Sequence, residues 1–503
     1  MTAARPPVSN VQLTGPYDSI RDYVAALEAR GRLIRIKEMD QDQYEASGFA
    51  CRLVDKLGIN AAPAFLMERV KIEGRWIDGP VLGNVYGGWD MEAMGLGVAD
   101  ITDDLPNMFR AAFDKLIEMA DANGHWPRVK PQTVKKTDAL CKEVILLGDD
   151  VDILQYPFLK GNPADGGRYI NSGAVIIENP ELGRNIGTYR CQIKQSRRIA
   201  VNPEPGQHGW TFLMGAKNRG ERTVKAAVVL SADPITWTMS STKIARLGED
   251  EYELAGGLRN RPVELVKCET SDLLVPATAE MIIEGEIPLD QQEEEGPHAE
   301  MFGYLGLKRE RNFFMNIDAV THRHQPWLIN NFMIGMRGFY TSPAEAHAFL
   351  TYKKNLPNLV AFHSFEEARG FTVASIEKRH AGDGLAAGQL IAASSRFSKV
   401  TIVVDSDVDV LNLRHVMHAV GSRWQPHPAS QFIRQTHGPL LDPSPVKRGI
   451  TSKFIIDATR QWPEEGGPAS WPPVSRQLLE TKCAEAFDLV DSKWPDYWKD
   501  FRN

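Results

Sequence analysis

Apolar positions along this chain follow a helical period at its start, a strand period through its middle, and an alternation of the two towards its end. Ile20, Tyr23, Val24 and Leu27 recur at helical spacing with Gly31 near the stop, so residues 17–33 read as an amphipathic helix. A second helix is expected over 106–122. Pro106 suits its first turn, Phe109, Phe113, Leu116 and Ile117 form one face, and Gly124 follows. The stretch from His125 to Pro131 reads as a boundary. From about Cys141 to Ala319 short β-rich runs alternate with turn residues, at 174–177, 224–230, 263–268 and 279–284, with a short helix at 209–217. This pattern predicts a β-barrel or sandwich. Ser342-Pro343-Ala344-Glu345 predicts a helix start, with Glu345 closing a capping box and the helix running to about Lys354. Beyond it strand and helix alternate. Residues 400–404 read as a buried strand and 472–491 as a closing helical segment.

Composition narrows the class. Hydrophobic residues make up 43% and charged residues 24%, as in ordinary globular proteins, and the length suits two to four domains. The net charge of −7 argues against a general nucleic-acid binder. No run approaches the roughly 20 apolar residues that span a bilayer. The stretch Met1–Gln12, with its single Arg5, lacks the apolar core of a secretory signal. Cys51, Cys141, Cys191, Cys268 and Cys483 are far apart and form no CxxC pair, so reduced thiols in a cytoplasmic protein are expected.

Candidate chemistry centres on Glu295-Gly296-Pro297-His298-Ala299-Glu300, which sets two carboxylates on either side of a Gly-Pro turn. Two acids near one arginine make a site that can hold, give and take a proton. Asn185, His208 and Glu264 form a mixed oxygen and nitrogen set suited to Mn²⁺ or Mg²⁺. Arg190 follows Asn185 by an odd spacing, so a bend must intervene if both reach one pocket. Ser240-Ser241 offers paired hydroxyls in a turn, and Lys453 could contact a phosphate. Gly382-Asp383-Gly384-Leu385-Ala386-Ala387-Gly388 invites a dinucleotide reading, and with it a flavin- or NAD(P)-dependent oxidoreductase as the alternative function. His415 and His418 could share a metal from one helix face, and His322 and His324 read as a turn.

Together these residues resemble the UbiD-type decarboxylases, the prenylated-FMN enzymes that include ferulic acid decarboxylases. The carrying segments are Asp165–Tyr169, Asn185–Arg190, Gln207-His208, Ser240-Ser241, Pro262–Lys267, Val275–Glu280, Glu295–Tyr304, Val403–Val410 and Ser452-Lys453. The resemblance implies an α+β/α/β multidomain fold: an N-terminal α/β region (1–130), a central flavin-reductase-like split β-barrel that binds cofactor (131–335), a linking helix (336–360) and a C-terminal α/β oligomerisation domain (361–503). It implies that Asn185, His208 and Glu264 hold the divalent metal, that Ser240 and Glu264 help hold K⁺ or Na⁺, and that Lys453 reaches the phosphate. Ile186, Thr188, Arg190, Gln207 and Ser241 complete the implied cofactor-binding set. Arg190, Glu295 and Glu300 match the family's catalytic network, with Glu300 as proton donor. The implied reaction is reversible, non-oxidative decarboxylation of an aromatic, heteroaromatic or α,β-unsaturated carboxylic acid. A flavin prenyltransferase is the implied cofactor supplier, and a homodimer or homohexamer the implied assembly. His298-Ala299 stands where relatives commonly show an aromatic residue and glycine. Thr188-Tyr189 also departs from the pattern. His298 and Met301 are therefore the substrate-pocket candidates.

Overall fold

The computed structural model describes residues 11–333 and 335–499. The reading of Met1–Gln12 thus falls almost wholly outside the described residues. Among the described residues, no helix is long and apolar enough to cross a membrane.

The first unit contains helices α1 (Ile20–Ala29), α2 (Glu45–Leu57), α3 (Trp89–Gly95) and α4 (Leu105–Glu118) around a four-stranded sheet. Its strands run in the order Leu33–Asp40, Ala64–Ile72, Arg75–Gly83 and Leu328–Ile329, so the last is contributed from far along the chain. Ser19 caps α1 and Asp104 caps α4, each side chain accepting from an amide of the first turn. α4 buries Met108, Phe109 and Leu116, and each such side chain contributes roughly 1.5–3 kcal/mol by leaving water. Phe113 and Ile117, on the same helix, pack against both the N-terminal core and the C-terminal core.

The middle unit is a ten-stranded sheet dominated by antiparallel pairs. Its spine is the long strand Arg309–His322, which pairs with Met281–Pro288, Arg198–Val201, Glu293–Glu295 and Val144–Leu147. Helices α5 (His208–Asn218), α6 (Pro234–Ser241) and α7 (Glu251–Arg259) cover it. Ser240 and Ser241 close α6 and do not sit in a free turn.

α8 (Ser342–Lys353) leads to the C-terminal unit. Its expected capping box does not form. Thr341 is the cap residue and its side chain accepts from no helix amide; its Oγ1 donates to the buried Glu92 at 3.4 Å, Glu92 accepts from the Ser342 amide at 2.6 Å, and Glu345 instead holds His363 Nδ1 at 2.9 Å. A carboxylate from the first unit thus satisfies the helix start better than a local one. The C-terminal sheet has the order Leu359–Ser364, Phe371–Ile376, Val400–Asp405, Ile450–Asp457 and Ser430–His437. α9 (Asp383–Ser394) and α10 (Leu413–Arg423) flank it, and α11 (Ser475–Lys482) and α12 (Ala484–Trp498) close the described chain.

The Gly382–Gly388 turn is a packing device. The Arg379 and His380 amides donate to Asp383 at 2.8 and 3.0 Å, and the Gly382 amide donates to Glu465 at 2.6 Å. A Cβ at Gly388 would lie 2.3 Å from Ile455, so that glycine lets α9 approach the sheet. These carboxylates occupy the Arg379, His380 and Gly382 amides, and the Asp457 carboxylate crowds Gly384, where a Cβ would lie 2.2 Å from its Oδ2, so the turn is poorly suited to a pyrophosphate. His415 and His418 lie on α10, and among the described residues no group of three or more His, Cys, Asp and Glu side chains is placed to hold a metal by itself.

Candidate active site

Gly296 has a φ of 89°, in the left-handed region that glycine tolerates, and turns the chain sharply after Glu295. A second glycine, Gly166, lets the neighbouring loop approach: a Cβ there would lie 2.3 Å from the Gly296 carbonyl oxygen. The short hairpin that pairs His298–Ala299 with Leu305–Gly306 then brings Glu300 back over Arg190.

Arg190 emerges where the strand Gly183–Thr188 ends and Cys191–Gln195 begins, and this break supplies the required bend. Its Nε donates to Glu295 Oε1 at 2.9 Å and its Nη2 to Glu295 Oε2 at 2.8 Å, a bidentate pair. Its Nη1 donates to Glu300 Oε1. Glu295 is fully buried, and it also accepts from the Tyr169 hydroxyl at 3.1 Å. Burial alone would lower the Arg190 guanidinium, but its bonds and charge contact with Glu295 outweigh that and leave it above its ordinary value. Burial, then the Glu295 charge, pushes the Tyr169 hydroxyl well up, so it remains a donor. Tyr169→Phe should therefore cost about 0.5–1.5 kcal/mol of stability, read as a lower urea midpoint with an unchanged slope; no shift would contradict the bond.

His298 packs against Tyr169 with ring centroids 4.3 Å apart and planes tilted by 57°. Burial, then the Arg190 charge, pushes its imidazole down to about 3, so it is neutral. Met301 follows Glu300 in the turn and is half-buried.

A second cluster lies at the other end of the Asn185–Arg190 segment. Asn185 is buried with its Nδ2 unpartnered, and it borders the Tyr189 hydroxyl. That hydroxyl accepts from the Gly209 amide at 2.9 Å, which brings the start of α5, and with it His208, beside Asn185. Gly187 and Gly209 form the slot for the Tyr189 ring, since a Cβ on either would lie within 2.6 Å of the hydroxyl. Gln207 is the cap residue of α5. His208 is held below its ordinary value by burial and then by Lys243, which favours the neutral imidazole a metal requires. Thr188 Oγ1 lies 2.8 Å from Ser241 Oγ, and Ser240 Oγ donates to the Trp237 carbonyl at 2.7 Å.

Glu264 does not join this cluster. It sits exposed on the strand Glu264–Lys267 of a separate three-stranded sheet, where Gln132 donates to it at 3.1 Å. The acid that reaches the cluster is Glu251. Its Oε2 accepts from the Ile186 amide at 3.2 Å, and burial pushes its carboxyl up to about 8. Arg184 attracts it only weakly, being paired with Asp250 and Glu178. A buried carboxylate with so little countercharge suits a cation. The local signal was only that Asp250 caps α7 with Glu251 as its first residue; what turns Glu251 inward is distant packing, since a Cβ on Gly257 would lie 1.7 Å from the Pro127 carbonyl oxygen.

Lys453 is also placed differently. Its buried ammonium donates to the Ala392 carbonyl at 2.6 Å and to the Ser395 carbonyl, closing the end of α9. Two cations nearer His208 were missed. The Lys243 ammonium lies 5.3 Å from the Phe397 ring centroid and is held below the lysine range by desolvation and then by the Arg396 charge. Arg396 Nη1 lies 3.9 Å from where a Cβ on Gly206 would be. Like charges brought together beside a metal-type donor set suit an anion.

Three family profiles match the chain. The 3-octaprenyl-4-hydroxybenzoate carboxy-lyase N-terminal domain matches residues 24–106, the Rift-related domain 132–336, and the C-terminal domain 339–458. The chain belongs to the UbiD family. As a UbiD member it is an enzyme, a decarboxylase of the carboxy-lyase type. A phenolic acid decarboxylase of Sedimentibacter hydroxybenzoicus is 29% identical over 93% of this chain and 98% of its own length. The solved vanillic acid decarboxylase of that organism, in closed form, superposes with a TM-score of 0.79 at 28% identity, covering 94% of this chain and 100% of the other. The UbiD-class enzyme HmfF of Pelotomaculum thermopropionicum, in complex with FMN, gives a TM-score of 0.76 at 27% identity, covering 91% and 97%.

Proposed function

We propose that this UbiD-family enzyme is a non-oxidative, reversible decarboxylase of an aromatic, heteroaromatic or α,β-unsaturated carboxylic acid that works with prenylated FMN. The carrying observation is the Glu295–Arg190–Glu300 network beside a polar cradle. HmfF, whose evolved dimeric form is known with prFMN, supports the choice of cofactor. The residues present suit that group. Asn185 is buried and offers its side-chain carbonyl oxygen, His208 is held neutral and Glu251 lacks a strong countercharge, a donor set for Mn²⁺ or Mg²⁺. Ser240 keeps lone pairs for K⁺ or Na⁺, and Lys243 with Arg396 offers positive charge to a phosphate. When bound, prenylated FMN supplies the electrophilic carbon that this chemistry needs.

The chain's own residues do the rest. Arg190 pairs the substrate carboxylate, and Glu295 holds the guanidinium flat through two bonds. Glu300, tied by one guanidinium nitrogen only, delivers the proton that replaces CO₂ at the substrate carbon, and takes it back in carboxylation. His298, neutral and wedged on Tyr169, and Met301 shape the substrate side. We read the ten-stranded sheet as the flavin-reductase-like split barrel. We read the C-terminal unit as the oligomerisation domain of a homodimer or homohexamer, supported by the exposed Leu489, Val490, Trp494 and Tyr497 of α12. A cytoplasmic location and supply by a flavin prenyltransferase complete the reading.

The test is co-production with a flavin prenyltransferase, followed by the absorbance and mass of the bound cofactor and a panel of acids. Bound prenylated FMN with CO₂ release and no electron acceptor is expected. Turnover that consumes NAD(P)H, or no CO₂ from any acid, would reject it.

A further inference from the structure

The C-terminal unit makes a charged contact with the loop that follows the catalytic arginine. Arg448 lies in the segment between Ser430–His437 and Ile450–Asp457, where its Nε donates to the Leu440 carbonyl at 2.7 Å. Its Nη1 and Nη2 cross to the middle unit and donate to the Glu204 carboxylate at 2.7 and 2.9 Å. Glu204 is itself nearly buried and accepts a third bond at 2.7 Å from Arg309 of the long spine strand. Arg309 stands directly opposite Glu295 in the strand register.

Glu204 also belongs to a loop fixed to both halves of the site. Two residues earlier, the Asn202 amide donates to the Arg190 carbonyl at 3.3 Å, and Asn202 Oδ1 accepts from Asn312 Nδ2 at 2.9 Å, beside Glu295. Three residues later, Gln207 Oε1 accepts from the Glu204 amide at 2.7 Å and leads into His208. The loop thus spans from Arg190 to the cation cluster, and one end of its charged anchor is in the other unit. We propose that Arg448 and Glu204 are positioning residues: their pairing seats the C-terminal unit and fixes the loop that aims Arg190. The Glu204 charge acts on Arg190 as well.

The second arginine makes the contact reversible. A buried carboxylate stripped of its only partner would be heavily penalised. With Arg309 in place, Glu204 stays paired when Arg448 leaves, so the C-terminal unit can detach without stranding a charge. Arg110–Asp409, an ion pair that joins α4 of the first unit to the C-terminal unit, is more exposed on both sides than Arg448–Glu204.

This inference rests on reading Arg190, Glu295 and Glu300 as the reacting site, and its test separates the two. Full-length Arg448→Met, Arg448→Lys and, as control, Asp409→Asn are compared with wild type by amide hydrogen exchange and by turnover. Arg448→Met should speed exchange of residues 202–210 and 438–452 about tenfold or more, as loss of a charge-assisted bond implies. It should lower kcat with little change in KM, and Arg448→Lys should recover part of both. Unchanged exchange in both segments alongside intact CO₂ release overturns the latch. Equal effects from Asp409→Asn also overturn it, by showing general loosening. Faster exchange in a protein that decarboxylates no acid keeps the latch and rejects the reaction.

Discussion

Glu300→Gln is expected to reduce CO₂ release by about 10²–10⁴-fold, the usual share of a positioned proton donor. The substitution is nearly isosteric, and the amide oxygen can still accept from Arg190 Nη1, so geometry is kept and only the transferable proton is lost. The choice between the two acids follows from their bonding. Glu295 is fully buried with both oxygens held by Arg190 and one also by Tyr169. Protonating it would break a bidentate pair. Glu300 has a partly exposed side chain with one oxygen on Arg190, so it can exchange a proton at lower cost. The space it needs is reserved: a Cβ at Gly306 would lie 2.8 Å from its Cγ and Oε1. Stability should change by less than about 1 kcal/mol, as for a partly exposed pair. Cofactor absorbance should be that of wild type. Turnover at the wild-type rate would remove Glu300 from its role.

Glu251→Gln should weaken Mn²⁺ binding by more than about 100-fold, since even residues supporting a ligand cost 10–100-fold. The readout is metal content after dialysis and flavin retained on the column. The opposite sign is expected for the metal-free protein. Removing a carboxyl whose charged form is penalised by burial should leave its unfolding midpoint unchanged or raised. Glu264→Gln, on an exposed strand, should bind metal as wild type does. If the two variants exchange these behaviours, Glu264 regains the assignment and Glu251 loses it.

The contrast between these two acids shows what the sequence makes legible. Glu295-Gly296-Pro297 carries its own constraint, because a glycine at positive φ and a proline fix the turn whatever packs around it. The second helix was visible for the same local reason, since Pro106 suits a first turn and stands at the start of α4. Glu251 and Glu264 each lie near a Gly- or Pro-containing stretch, and only the docking of α7 against Pro127 decides which turns inward. Lys453 fails similarly: alternation along its strand gives its face, but not that the carbonyls ending α9 stand above it. The missed capping box at Ser342 has the same origin, since Glu92 comes from a helix about 250 residues earlier. Local chemistry predicts local geometry, and partners distant in the chain override it.

The strand Leu328–Ile329 runs parallel to Arg75–Gly83 and finishes the first sheet with residues that follow the central one. The N-terminal region is therefore not an appendage that can be clipped away. Splitting the gene between residues 106 and 132 would leave one fragment with an uncovered sheet edge and the other with a strand seeking a home. Functional halves would have to be made in the same cell and find each other before either aggregates.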